Sequence, residues 1–107
     1  MEFPQDETGS ILAEMYAAGI DLSIEQTVEY FQLFEQESDA RAMAEHLSTL
    51  PEIVEVKVHP DQTPKVWDVD CLIKLVPSYD NICAWEQTLE KLADQFNGYN
   101  DGWGIEA

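Results

Sequence analysis

Basic residues are scarce in this 107-residue chain: Arg41, Lys57, Lys65, Lys74 and Lys91 stand against 22 acids. A nucleic-acid binder neutralises phosphates with clustered cations, and five scattered ones form no such footprint. Attachment to an anionic membrane surface is disfavoured on the same ground. No apolar run approaches the ~18 residues a membrane span needs. The first ten residues have neither the basic n-region nor the apolar h-region of a secretory signal, and carry Glu2, Asp6 and Glu7 instead. Cysteine is limited to Cys71 and Cys83, too few for a disulfide framework, so the cytoplasm is the default expectation. Loops of the Gly-x-x-x-x-Gly-Lys, Gly-x-Gly-x-x-Gly and EF-hand types are missing. Gly102-x-Gly104 is followed by no helix and cannot replace them.

What is present is acid and apolar surface. The formal charge is -17, the pI about 4.1, and 45% of the residues are hydrophobic. That composition supports one folded domain over residues 1–107 with one modest core. The charge favours a basic protein as partner, through complementary fields.

Periodicity places the elements. Residues 1–8 read as a loose arm. Thr8 or Ser10 can cap a helix over 9–18, in which Ile11, Leu12, Met15 and Tyr16 make a stripe and Gly19 is the stop. Residues 26–34 favour a strand, with apolar side chains on both parities, as in a covered central strand or one with a bulge. Ser38 or Asp39 can cap a helix bearing Met43, Ala44, Leu47 and Leu50, which Pro51 ends. In 53–58, Val54, Val56 and Val58 alternate with Glu55 and Lys57, a half-buried strand. A loop over 59–64 leads to a strand over 65–76, whose two faces read Trp67, Val69, Cys71, Ile73, Leu75 and Asp68, Asp70, Leu72, Lys74. The two strands form an antiparallel hairpin. Ile82, Trp85, Leu89, Leu92 and Phe96 then mark a long amphipathic helix over 79–95, ended by Asn97-Gly98. A short strand over 99–105 closes the chain. The order after the first helix is β-α-β-β-α-β, so the expected fold class is α+β: a ferredoxin-like two-layer sandwich over 26–105 with an additional N-terminal helix.

Catalytic chemistry finds little support. Cys71 lies on an apolar strand face, as a structural cysteine does. Cys83 sits near a helix start, where a thiolate can be stabilised, but it has no Cys-x-x-Cys partner. His46 and His59 are far apart, on a helix and in a loop. Asp68 and Asp70 point the same way, about 7 Å apart in a regular strand, which could suit a hydrolase pair. With no third ligand or pocket-forming loop evident, they read instead as a solvated face, with Lys57 able to meet one of them across the hairpin. No cofactor or metal is expected.

Two surfaces invite a binding role. Helices cover one face of such a sheet, and the other offers Glu55, Lys57, Asp68, Asp70, Leu72 and Lys74 plus one parity of the first strand. That face is too acidic for base stacking. It is either solvated, or covered by the first helix, or a docking surface for a basic protein. The segment Asn97-Gly98-Tyr99-Asn100-Asp101-Gly102-Trp103-Gly104 brackets two aromatics with glycines. Trp103 there either plugs the core from the edge strand or forms a binding anchor, and Asp101 can fix the turn.

The closing Asp101-Gly102-Trp103-Gly104 resembles the motif that ends the bacterial family called regulator of ribonuclease activity B. The resemblance extends to Gly19-Ile20-Asp21-Leu22, Val28-Glu29-Tyr30-Phe31 with Phe34, Ala42-Met43-Ala44 with Leu47, Trp67-Asp68-Val69, and Leu92-Ala93 with Gly98. It covers about residues 10 to 105. It implies a ferredoxin-like, cytoplasmic, non-enzymatic protein that binds endoribonuclease E, chiefly its scaffold region, and inhibits or remodels the RNA-degrading assembly. Glu55, Asp68 and Asp70 would supply charge, Asp101 would fix the turn, and Leu72, Tyr99 and Trp103 would be apolar anchors. The chain departs from the family at Asn100, where tyrosine is common, and in ending at Ala107, where some members carry a long acidic extension. The other reading is an acidic adaptor or oligomerisation module with a different basic partner.

Overall fold

The computed structural model describes residues 3–106, so the first two positions of the expected arm lie outside the described residues. The elements are α1 (Glu7–Ala17), β1 (Gln26–Phe34), α2 (Glu37–Leu47), β2 (Ile53–Pro60), β3 (Trp67–Leu75), α3 (Tyr79–Gln95) and β4 (Gly98–Glu106). Together they make an α+β fold, with one antiparallel sheet of order β2-β3-β1-β4.

Local chemistry sets the helix ends. Asp6, rather than Thr8 or Ser10, caps α1: its Oδ1 accepts from the Gly9 amide at 2.8 Å, and Glu7 sits where the helix dipole favours an acid. The arm is tied down, since Phe3 packs on the core and the Tyr79 hydroxyl donates to Asp6. Neither Ser38 nor Asp39 caps α2; it starts after Gln36 without a side-chain cap and ends at Leu47, ahead of Pro51. An exposed Glu37–Arg41 pair at 2.8 Å spans its first turn, a geometry worth about 0.3–0.5 kcal/mol. Ser78 Oγ accepts from the Asn81 amide at 3.1 Å and starts α3.

The core lies between the sheet and the helices. Val28, Tyr30 and Phe34 of β1 and Val69, Cys71 and Ile73 of β3 meet Ala40, Met43 and Leu47 of α2 and Ile82, Leu89 and Ala93 of α3. The buried Tyr30 hydroxyl donates to the Ile82 carbonyl at 3.1 Å, so the deepest phenol is satisfied. Leu12 of α1 joins this core, and α1 packs against α3. The first helix therefore thickens the helical layer and does not cover the other face of the sheet.

Two irregularities decide which side chains reach which face. In β2 the register slips between Ile53 and Glu55, and Val54 is 57% exposed rather than buried in line with Val56 and Val58. Ile53 takes its place against the core. In β4 the register with β1 shifts between Phe31 and Gln32: Gln32 faces Asn100, Phe31 faces Gly102, and Asp101 is the extra residue. Gly102 there has φ +147°, a conformation that a side chain would strain. The strand entrance needs glycine for another reason. Gly98 lies opposite Phe34, and a Cβ on it would sit 2.7 Å from the ring's Cζ. The left-handed turn before it falls instead to Asn97, with φ +64°.

Candidate protein-binding face

Cross-strand register assembles the uncovered face row by row. One row runs His59–Asp68–Leu33–Tyr99, the next Lys57–Asp70–Phe31–Gly102, and a third Glu55–Leu72–Glu29–Gly104. Side chains paired across a sheet share a face. Glu55, Asp68, Asp70 and Leu72 therefore share this face, as the sequence suggests, and Tyr99, expected at the edge beside Trp103, joins them. Register also settles the parity of β1: Tyr30 turns inward, and Phe31 and Leu33 are half-buried at the centre of the open face. Leu72 is on this face but only 5% exposed, so it supports the surface and offers little to a partner. Tyr99 is 52% exposed.

Trp103 lies elsewhere. It pairs with inward-facing Tyr30 and packs on the core, on the helical side of β4. Tyr99 and Trp103 would share a face in a regular strand, because they are an even number of residues apart. The extra residue Asp101 reverses that relation. Asp101 itself is exposed at the bulge.

The charged part of the face is organised by a residue outside the expected set. The sequence reading puts His59 in a loop, but β2 continues through His59 and Pro60. His59 Nε2 lies 2.6 Å from Asp70 Oδ2, and Nδ1 is 3.7 Å from Asp68 Oδ2. Lys57 faces Asp70 across the hairpin, as expected, while its ammonium lies 3.9 Å from Glu55. The two aspartates are mostly shielded, with side chains 16% and 13% exposed. The hydrogen bond to Asp70 raises the His59 pKa above the usual imidazole value, helped by the Pro60 carbonyl. Burial, followed by the hydrogen bond and charge of Asp61, pushes Asp68 up to about 6. Asp61 is held below the usual range chiefly by the Thr63 amide. The arrangement is a carboxylate cluster joined by one histidine, beside an apolar strip of Phe31, Leu33 and Tyr99. It can meet a cationic, partly apolar surface. Among the described residues, no group of three His, Cys, Asp or Glu is placed to hold a metal ion.

The family model described as regulator of ribonuclease activity B matches residues 5–105. The chain belongs to this family. No curated protein matches it. The family's name describes regulation of a ribonuclease, which suggests a protein partner. No helix among the described residues is long and apolar enough to cross a membrane. Cys71 and Cys83 are both free thiols; burial pushes Cys71 up to about 12, far from the activated range.

Proposed function

We propose that this protein binds an endoribonuclease of the E type through the open face of its sheet and inhibits it or alters its assembly, without catalysing a reaction. The strand order β2-β3-β1-β4, read from the other edge as 4-1-3-2, supports a ferredoxin-like sandwich with α1 added to the helical layer. The observation that carries the reading is the uncovered strip of Phe31, Leu33 and Tyr99 beside Asp68 and Asp70, in a chain of net charge -17 from a family of ribonuclease regulators. A basic scaffold segment of the enzyme, in the bacterial cytoplasm, fits it by charge, and the aromatic strip adds apolar burial at the centre of the contact.

The test is titration calorimetry against full-length endoribonuclease E and against its separated scaffold region, at low and moderate salt. The expected result is salt-sensitive binding that drops at least tenfold in the double variant Asp68→Lys with Asp70→Lys. Unchanged affinity of that variant at low salt would show that the face is wrongly assigned. Absence of binding to either form of the enzyme would remove the partner and favour an adaptor with another basic protein.

A further inference from the structure

A second surface lies on the far side of β4, independent of the open face. β4 is the sheet's edge and pairs only with β1. Its outer N–H and C=O groups have no strand partner among the described residues. The other edge, β2, is blunted by the slip at Val54, by Lys57 and by Pro60, devices that discourage strand addition. β4 has its bulge at Asp101 but no lysine and no proline.

Two cavities flank this edge where it meets α3. One, of 570 Å³, is bordered by Ile11, Glu7, Glu86, Asn100 and Trp103. The other, of 380 Å³, is bordered by Glu90, Asp94 and Tyr99. The first has an aromatic wall in Trp103, the second is closed by the start of β4 at Gly98 and Tyr99, and both have carboxylates from α3, where Glu86, Glu90 and Asp94 recur every four residues along one helix face. The floor of the first cavity is braced: Asn100 Nδ2 donates to the Glu86 carbonyl at 2.9 Å, and Asn100 Oδ1 accepts from Gln32 Nε2 at 3.4 Å. Asp6, also on its border, is engaged by Gly9 and Tyr79, while Glu7 and Asp101 are exposed. Lys91 is the one basic residue bordering the two cavities.

We propose that the free edge of β4 accepts an extended basic segment of a partner protein as an added strand, with its arginine or lysine side chains seated in the two cavities, one beside Trp103 and Glu86 and the other beside Glu90 and Asp94. Strand addition supplies main-chain hydrogen bonds, and pockets beside the edge select alternate side chains. The carboxylates and the aromatic faces both favour a cation. A second copy of this chain is a poor occupant, because 22 acids against five bases make the copies repel.

The test uses an eight-residue peptide alternating arginine and threonine, and the same peptide N-methylated on alternate backbone nitrogens so that charge stays but pairing is lost. Amide NMR spectra of the full chain would be recorded with each. The expected result is shifts confined to residues 98–106 and α3, slowed amide exchange in β4, and affinity at least tenfold weaker for the methylated peptide. Trp103→Leu should weaken binding, and Glu86→Gln with Glu90→Gln, on a more exposed helix face, should do so tenfold even if the tryptophan variant fails to fold. Asp68→Lys with Asp70→Lys should leave this binding unchanged, separating it from the open-face reading. Equal affinity of the methylated peptide, shifts centred on Phe31 and Leu33, absence of shifts, or a β4-mediated dimer in sedimentation would each overturn the proposal.

Discussion

Replacing Asp68 with asparagine should flatten the fall in stability between about pH 4 and 6. The native carboxyl titrates at about 6, against an ordinary 3.8 in the unfolded chain. Between those values the native state holds more protons than the unfolded state, so stability falls as pH rises. Two pH units correspond to about 3 kcal/mol at 1.36 kcal/mol each. Asp68 lies on the open face against His59, whose side chain is 46% exposed, and solvent screening there reduces the figure to about 1 kcal/mol. His59 acts in the same direction. Its raised pKa means that pairing with Asp70 stabilises the fold below the unfolded value near 6.5, and this is lost as pH climbs through the native value. Glu86, also raised, chiefly by burial, adds a further fall. Comparison with the parent cancels the last effect, because Glu86 lies on the other side of the molecule. Urea denaturation at pH 3, 4.5, 5.5 and 7.5 would measure the difference, and carboxyl-carbon NMR would give the Asp68 midpoint directly. Asp68→Asn should gain about 1 kcal/mol over the parent at pH 7.5 and almost nothing at pH 3, below both values. Parallel pH profiles, or an Asp68 midpoint below 4, would refute the reasoning.

Other outcomes follow from packing and strain. Gly98→Ala should cost about 1–3 kcal/mol in thermal or urea unfolding, because the added methyl meets the fully buried Phe34 ring. Gly102→Ala has open space around its Cβ, yet at φ +147° it should still cost about 1–3 kcal/mol from backbone strain. Gln32→Leu should change stability by less than about 1 kcal/mol, since it removes a buried Oε1 without a partner but also the donor to Asn100 Oδ1; a loss above about 2 kcal/mol in urea unfolding would show that the amide is fully satisfied in solution. In native protein a thiol reagent should label Cys83 well before Cys71, which is fully buried; mass spectrometry of the labelled peptides would tell them apart.

The parts of the fold legible in the sequence are those where a single period governs. The 3,4,3,4 spacing from Ile82 to Phe96 gives α3 to the residue, and the alternation from Trp67 to Leu75 gives the inward face of β3. Asp68 and Asp70 are brought together because they share a strand parity. β1 is harder, since apolar residues occupy both parities; only pairing with β3 and β4 turns Tyr30 inward and leaves Phe31 and Leu33 outside. Val54 looks like the first member of a buried valine series, and the slip at Ile53 turns it to solvent. His59 is hidden by Pro60, which reads as a loop signal but is tolerated on an edge strand. The position of α1 depends on where Leu12 finds a core, and no local pattern states that.

The last segment shows how one residue divides a surface in two. Tyr99 and Trp103 are four apart, and an unbroken strand would put both rings on one face. Phe34 holds Gly98 at one end, while Trp103 and Ile105 pack on the core at the other. The two halves of β4 are thus each anchored in the register that their own packing needs, and those registers differ by one residue. Asp101 absorbs the difference at the bulge, with Gly102 taking the backbone geometry that this requires. Tyr99 is left on the open face beside Leu33, and Trp103 on the helical side beside Glu86. The Asp-Gly-Trp-Gly segment by which the sequence resembles its family is therefore a register device: it gives an edge strand an aromatic ring on each side, each next to carboxylates. In a chain of 22 acids and five bases, that one inserted residue is what sets the two large rings of the last strand back to back rather than side by side.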